Sequence, residues 1–188
     1  MMEKATRRSL ATALIGGALT LGGALSSQAQ APAQVPEDEE KRSYTAPTFK
    51  PKFKKPKLSK TLVQDFVLFG HYDLDMVKKL LEIEPAVLNA TVDWGGGDFE
   101  TALGGASHLG NKEIAAFLID KGARPDIFTW AMFGKLEVVK SLIAFHPPLS
   151  EAKGPHGIPL IVHAQMGVKN GVKEAKEVVE FLERLKKA

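Results

Sequence analysis

From about Leu62 onward the apolar positions fall into a repeating template. Met76-Val77-Lys78-Lys79-Leu80-Leu81, Ile114-Ala115-Ala116-Phe117-Leu118-Ile119 and Val138-Val139-Lys140-Ser141-Leu142-Ile143 place apolar residues at i, i+1, i+4 and often i+5. Val178-Val179-Glu180-Phe181-Leu182 repeats it once more. This spacing is a wide stripe on one face of a helix. Each copy is too short to hold a fold alone, so four copies predict stacked neighbours that bury a continuous core.

The first 60 residues read differently. Lys4, Arg7 and Arg8 precede an uncharged Ala/Leu/Gly/Thr stretch from Leu10 to about Leu25, and Ser27-Gln28-Ala29 offers small residues for cleavage. Residues 1–29 are therefore expected to be a secretory signal. Thr6-Arg7-Arg8-Ser9-Leu10 resembles a twin-arginine export signal, which favours that route over the general secretory one and implies a periplasmic or secreted protein. No stable membrane anchor is expected after cleavage, because about 15 weakly apolar residues are short for a hydrocarbon core of ~30 Å. Residues 30–60 carry Pro32, Pro36, Pro47, Pro51 and Pro56, the acidic run Glu37–Glu40 and a lysine-rich run from Lys50. Few apolar groups there can offset the roughly 1–2 kcal/mol per residue that ordering costs, so a disordered linker is expected. Its lysines, with Phe49 and Phe53 interleaved, also suit contact with an anionic envelope polymer.

Charge narrows the function further. The chain is +3 overall, but residues 61–188 hold 14 Lys and Arg against 17 Asp and Glu, a net −3. A mildly acidic domain gives no electrostatic reason to bind nucleic acid. The absence of cysteine excludes disulfides, thiolate metal sites and a cysteine nucleophile.

The segments around the helices resemble the ankyrin-repeat family. Thr101-Ala102-Leu103-Gly104-Gly105-Ala106-Ser107-His108-Leu109-Gly110-Asn111-Lys112-Glu113-Ile114, continuing through Leu118-Ile119-Asp120-Lys121-Gly122-Ala123-Arg124-Pro125-Asp126, is similar to T-P-L-H-x-A-A-x-x-G-H-x-E-[IV]-V-x-x-L-L-x-x-G-A-D. Thr101 is placed to cap a first short helix, Ala106 and Ser107 to admit the next repeat, and Gly110 and Gly122 to make the tight turns. Gly134–Lys140 keeps the turn glycine and second helix of another copy, and His156–Ile161 with Ala175–Leu182 forms a last one. Tetratricopeptide and Sel1-like helix pairs lack the G-A-x-x-D turn. The resemblance implies an all-α solenoid of about four degenerate helix-pair repeats with short finger loops, over residues 62–90, 91–124, 125–150 and 155–188. Markers Met76, Ile114, Val138 and Val178 are 38, 24 and 40 residues apart, against about 33 in regular arrays. The short step predicts that the third repeat lost its finger. Residues Gly167–Lys173 read as an insertion.

In that family, fingers and first helices line a concave binding face, which implies a protein or peptide partner for a monomer that is not an enzyme. The enlarged loop Asp93-Trp94-Gly95-Gly96-Gly97-Asp98-Phe99-Glu100 is the most informative local feature, its glycines permitting positive φ. Trp94, Asp98, Phe99 and Glu100 are candidate contacts. The alternative is a self-packed finger, with Trp94 covering the core and Asp98 satisfying turn amides. His108, His156 and His163 join the candidates from first helices and a finger. Together with Asp98 or Glu100 they have the ligand types zinc takes, which supports an alternative small-ligand or metal-dependent enzyme. No H-x-x-x-H spacing unites them, so no metal, cofactor or catalytic residue is assigned from sequence. His71 and His146 lie beside repeat turns and read as structural or exposed.

Overall fold

The computed structural model describes residues 43–49, 52 and 55–187, so the expected signal and most of the expected linker lie outside the described residues. The chain divides into Met1–Lys52 and Phe53–Ala188. The described part of the first unit is exposed and holds no helix or strand.

The second unit is mostly helical, with eight α-helices among the described residues. They come as pairs: α1 (Lys60–Phe69) with α2 (Leu74–Ile83), α3 (Ala102–Leu109) with α4 (Lys112–Asp120), α5 (Ile127–Met132) with α6 (Leu136–Phe145), and α7 (Leu160–Lys169) with α8 (Ala175–Leu185). The caps explain where several begin. Ser59, Asp73, Thr101, Asn111 and Asp126 each accept a backbone N–H from the first turn that follows. Gly110 ends α3 in the left-handed conformation at φ 72°, so α4 can turn straight back. A short antiparallel hairpin, β1 (Thr91–Asp93) and β2 (Phe99–Thr101), projects before α3 and pairs Val92 with Glu100. No strand lies between α4 and α5; Asp126 caps α5 directly after α4 and its short turn.

Two apolar clusters hold the unit together. One joins Phe66, Val77, Leu103, Ile114 and Leu118 from the first two pairs, with Met132 reaching in from α5. The other joins Ile127, Val139, Leu160, Val178 and Leu182 from the last two pairs. First helices contact in series, α1 with α3, α3 with α5 and α5 with α7. In addition α3 touches α7 directly. In a straight row those two helices would be separated by a full helix, about 16–20 Å between axes. With α5 only six residues long, about 9 Å, α7 reaches past it.

Glycines make two close approaches possible, Gly110 where α3 meets α7 and Gly167 where α5 meets α7. A Cβ on Gly110 would strike the Met166 carbonyl and the Asn170 side chain, and a Cβ on Gly167 would strike the Met132 carbonyl. Asn170 Nδ2–H donates to the Leu109 carbonyl at 3.1 Å, tying the last residues of α3 to the end of α7. Gly167 therefore lies inside a helix at its closest approach, and the insertion expected over Gly167–Lys173 shrinks to the turn that follows Lys169. Between the second and fourth pairs, the first helices thus pack on each other directly.

Candidate functional site

Glu100 is the centre of the site. Strand alternation sends its side chain inward and the neighbouring Phe99 outward, so Glu100 is 1% exposed and Phe99 62%. Trp94 Nε1–H donates to Glu100 Oε2 at 2.7 Å. Three imidazoles surround the same carboxylate: His71 Nε2 lies 3.3 Å from Oε2, His108 Nε2 3.0 Å from Oε1, and His156 Nε2 3.4 Å from Oε2. The rings stack edge to face, with centroids 5.0 Å apart for His71 and His108 and 5.3 Å for His108 and His156.

Each ring arrives by a different local device. His71 follows Gly70 at the end of α1, where any side chain on residue 70 would strike Ala102. Its ring lies against Gly105 of α3, so close that a Cβ there would meet it at 2.6 Å. His108 comes from the last turn of α3 and is 9% exposed. His156 comes from the loop before α7, at φ 58°. Among the described residues it alone adopts positive φ without being glycine. That conformation costs roughly 1–2 kcal/mol, and Asp98 offsets it. Asp98 Oδ1 accepts the His156 backbone N–H at 2.8 Å, and Oδ2 the ring Nδ1–H at 2.7 Å.

The finger tip is arranged to leave Asp98 free for this. Asp93, not Asp98, satisfies the turn amides, accepting from Gly95 N at 2.8 Å and Gly97 N at 3.1 Å. Gly95, Gly96 and Gly97 all have positive φ. Trp94 spends its indole on Glu100 and does not belong to either apolar cluster. Both halves of the self-packed finger alternative are thereby corrected.

Tautomers follow from the outer partners. His71 Nδ1 faces only carbonyl oxygens, Val67 O at 3.0 Å and Leu68 O at 3.1 Å. His156 Nδ1 faces a carboxylate. All are pure acceptors, so both rings carry their proton on Nδ1 and turn Nε2 toward Glu100. A neutral ring then points a lone pair at a carboxylate, and only a proton or a cation reconciles the two. His108 Nε2 and Glu100 Oε1 are buried and close, yet neither makes an aligned hydrogen bond.

The electrostatics match this geometry. Burial alone would raise the Glu100 pKa, but His108, His71 and the Trp94 N–H hold it well below the ordinary carboxylate range. Burial alone would lower the His71 pKa. A second proton on Nε2 would be held by the Glu100 carboxylate's hydrogen bond and charge, and these, with the Val67 and Leu68 carbonyls, raise the pKa instead. Asp98 is lowered, first by the His156 backbone N–H and then by its ring.

The sequence candidates thus separate. Trp94, Asp98, Glu100, His108 and His156 converge, while Phe99 faces away from the cluster. His163 is fully buried outside it, its Nδ1–H donating to the Pro159 carbonyl at 3.1 Å and its ring against Phe128. His71, read from sequence as structural or exposed, belongs in the cluster. His146 is exposed. No protein-family model matches the chain, and no curated protein matches it either.

Proposed function

We propose that the protein is an exported binding module built on an ankyrin-type stack of helix pairs, with its binding centre at the Glu100 cluster. The observation that carries this is the convergence of His71, His108, His156 and Trp94, from four separate positions in the chain, on one fully buried carboxylate. With nothing bound, stability does not account for it. Buried charge networks gain little over apolar packing, and replacing them is often neutral or stabilising by about 1–4 kcal/mol. The left-handed His156 adds backbone strain, which tends to collect at functional sites.

The direct contact of α3 with α7 favours a compact ligand over an extended chain lying along the first helices. A protein or peptide partner reads best at the outer edge of the same site, where Phe99 stands exposed on the finger. The repeat reading draws on the serial contacts of first helices, the Thr101 cap and the left-handed Gly110 and Gly122. Export draws on the basic, apolar and small-residue order of residues 1–29, and the amino terminus of the mature protein is expected at Gln30.

Native mass spectrometry of the purified protein tests the binding centre. A bound species that wild type keeps and both Glu100→Gln and His156→Ala lose supports it. Protein that is ligand-free, or a species that both variants retain equally, contradicts it.

A further inference from the structure

Resting on the reading that the cluster is a binding centre, we infer that its occupant is a divalent transition-metal ion, zinc foremost, held by Nε2 of His71, His108 and His156 and by the Glu100 carboxylate. The four ligand atoms all lie within 4.8 Å of one another. Zinc bonds of 2.0–2.2 Å in a tetrahedron put neighbouring ligands about 3.3–3.6 Å apart. His71 and His156 stand 3.3 and 3.4 Å from Oε2, close to that edge, while His108 stands 3.0 Å from the other oxygen, Oε1. Separations up to 4.8 Å exceed the edge, so the imidazoles would draw inward around an ion.

The outer partners are those such an ion needs. Metal-bound histidines usually donate their remote N–H to a carbonyl or carboxylate, which fixes the ring and makes the ligating nitrogen more basic. His71 donates to the Val67 and Leu68 carbonyls and His156 to Asp98. Trp94 steadies the carboxylate. Glu100 as ligand and Asp98 behind His156 supply two negative charges, enough to neutralise a dication. His108 Nε2 and Glu100 Oε1, buried without aligned partners, acquire one.

Imidazole and carboxylate without thiolate suit zinc and its first-row neighbours rather than magnesium or calcium. Four protein ligands leave no open position, the arrangement of structural zinc rather than catalytic zinc. The ion would join the turn after α1, the finger, the end of α3 and the loop before α7. A chain with no cysteine would thus be cross-linked without a disulfide, and the edge formed by Trp94, Asp98 and His156 would be fixed for a partner.

Zinc competition against a chromophoric chelator, with the full mature protein stripped of metal, tests this. Wild type should take one zinc per chain and melt at a higher temperature with zinc than without. His156→Ala and Glu100→Gln should lose more than the roughly 10–100-fold that removal of an outer partner brings, and His146→Ala should bind as wild type. Where Glu100→Gln does not fold, cobalt bound to wild type decides. An intense tetrahedral visible spectrum supports the assignment, and a weak octahedral one overturns it. Absence of zinc binding by wild type also overturns it. If zinc fails but another mass is lost from both variants, the metal falls and the binding centre stands. Zinc binding undiminished by either substitution overturns the site.

Discussion

Asp98 grips His156 twice across 58 residues of sequence, through the backbone N–H and the ring Nδ1–H. One carboxylate thereby fixes both the left-handed backbone of the loop and the tautomer of its histidine. Asp98→Asn keeps the shape but can turn only one oxygen to those two donors. Its amide N–H then opposes Nδ1, and the proton is expected to move to Nε2, which faces Glu100. Zinc affinity should fall about 10–100-fold in the chelator competition. Long-range nitrogen–proton NMR of the His156 ring should show the altered tautomer.

Close backbone approach, rather than flexibility, explains Gly167. Alanine there gains up to about 1 kcal/mol of helix propensity but drives its methyl group into the Met132 carbonyl. Overpacking against backbone typically costs about 1–3 kcal/mol, and here no flexible side chain can give way. Urea unfolding should show Gly167→Ala destabilised by about 2 kcal/mol or more. Gly96→Ala, at φ 66° with nothing within 4 Å, should lose only about 1 kcal/mol.

Gly105 makes room for His71, with the ring resting where a Cβ would stand. The carbonyls of Val67 and Leu68 hold that ring from behind. Gly105→Ala should therefore displace His71 from Glu100 and weaken zinc binding about tenfold or more, while circular dichroism still shows a helical protein. Unchanged affinity would remove His71 from the site.

Burial lowers the pKa of His163 below its ordinary 6.5. Above that value the ring is neutral whether folded or unfolded. As pH falls below it, the unfolded chain takes up a proton that the folded ring resists, so this part of the stability is lost toward acid. In metal-free protein the stability gap between wild type and His163→Gln should narrow from about pH 7.5 to about pH 5. A gap that widens would mean that the buried ring carries its charge.

Helices and their ends were legible because their signals are local. The Thr101 cap, the Gly110 turn and the absence of a finger before α5 follow from residues next to one another. Trp94, Asp98, Glu100, His108 and His156 were legible as chemically apt residues, but not as one site. His71 and Glu100 are 29 positions apart and Asp98 and His156 are 58, and no local spacing encodes their meeting. The Asp98–His156 meeting further depends on where the segment leading into α7 is carried, with α7 packed on α3 as well as on the short α5. One clue was present in Gly104-Gly105, since glycine inside a helix costs about 1 kcal/mol and marks a place where something comes close. The His71 ring is what lies against Gly105. Gly167 carries the same kind of clue inside the expected insertion, because glycine signals turns and close packing alike.

X-ray absorption at the zinc edge of the loaded protein tests the centre most directly. The expected first shell is about four nitrogen and oxygen neighbours at roughly 2.0–2.2 Å, with outer-shell scattering that requires three imidazole rings. A shell of six oxygens, or a fit with one imidazole or none, would contradict a site made by His71, Glu100, His108 and His156.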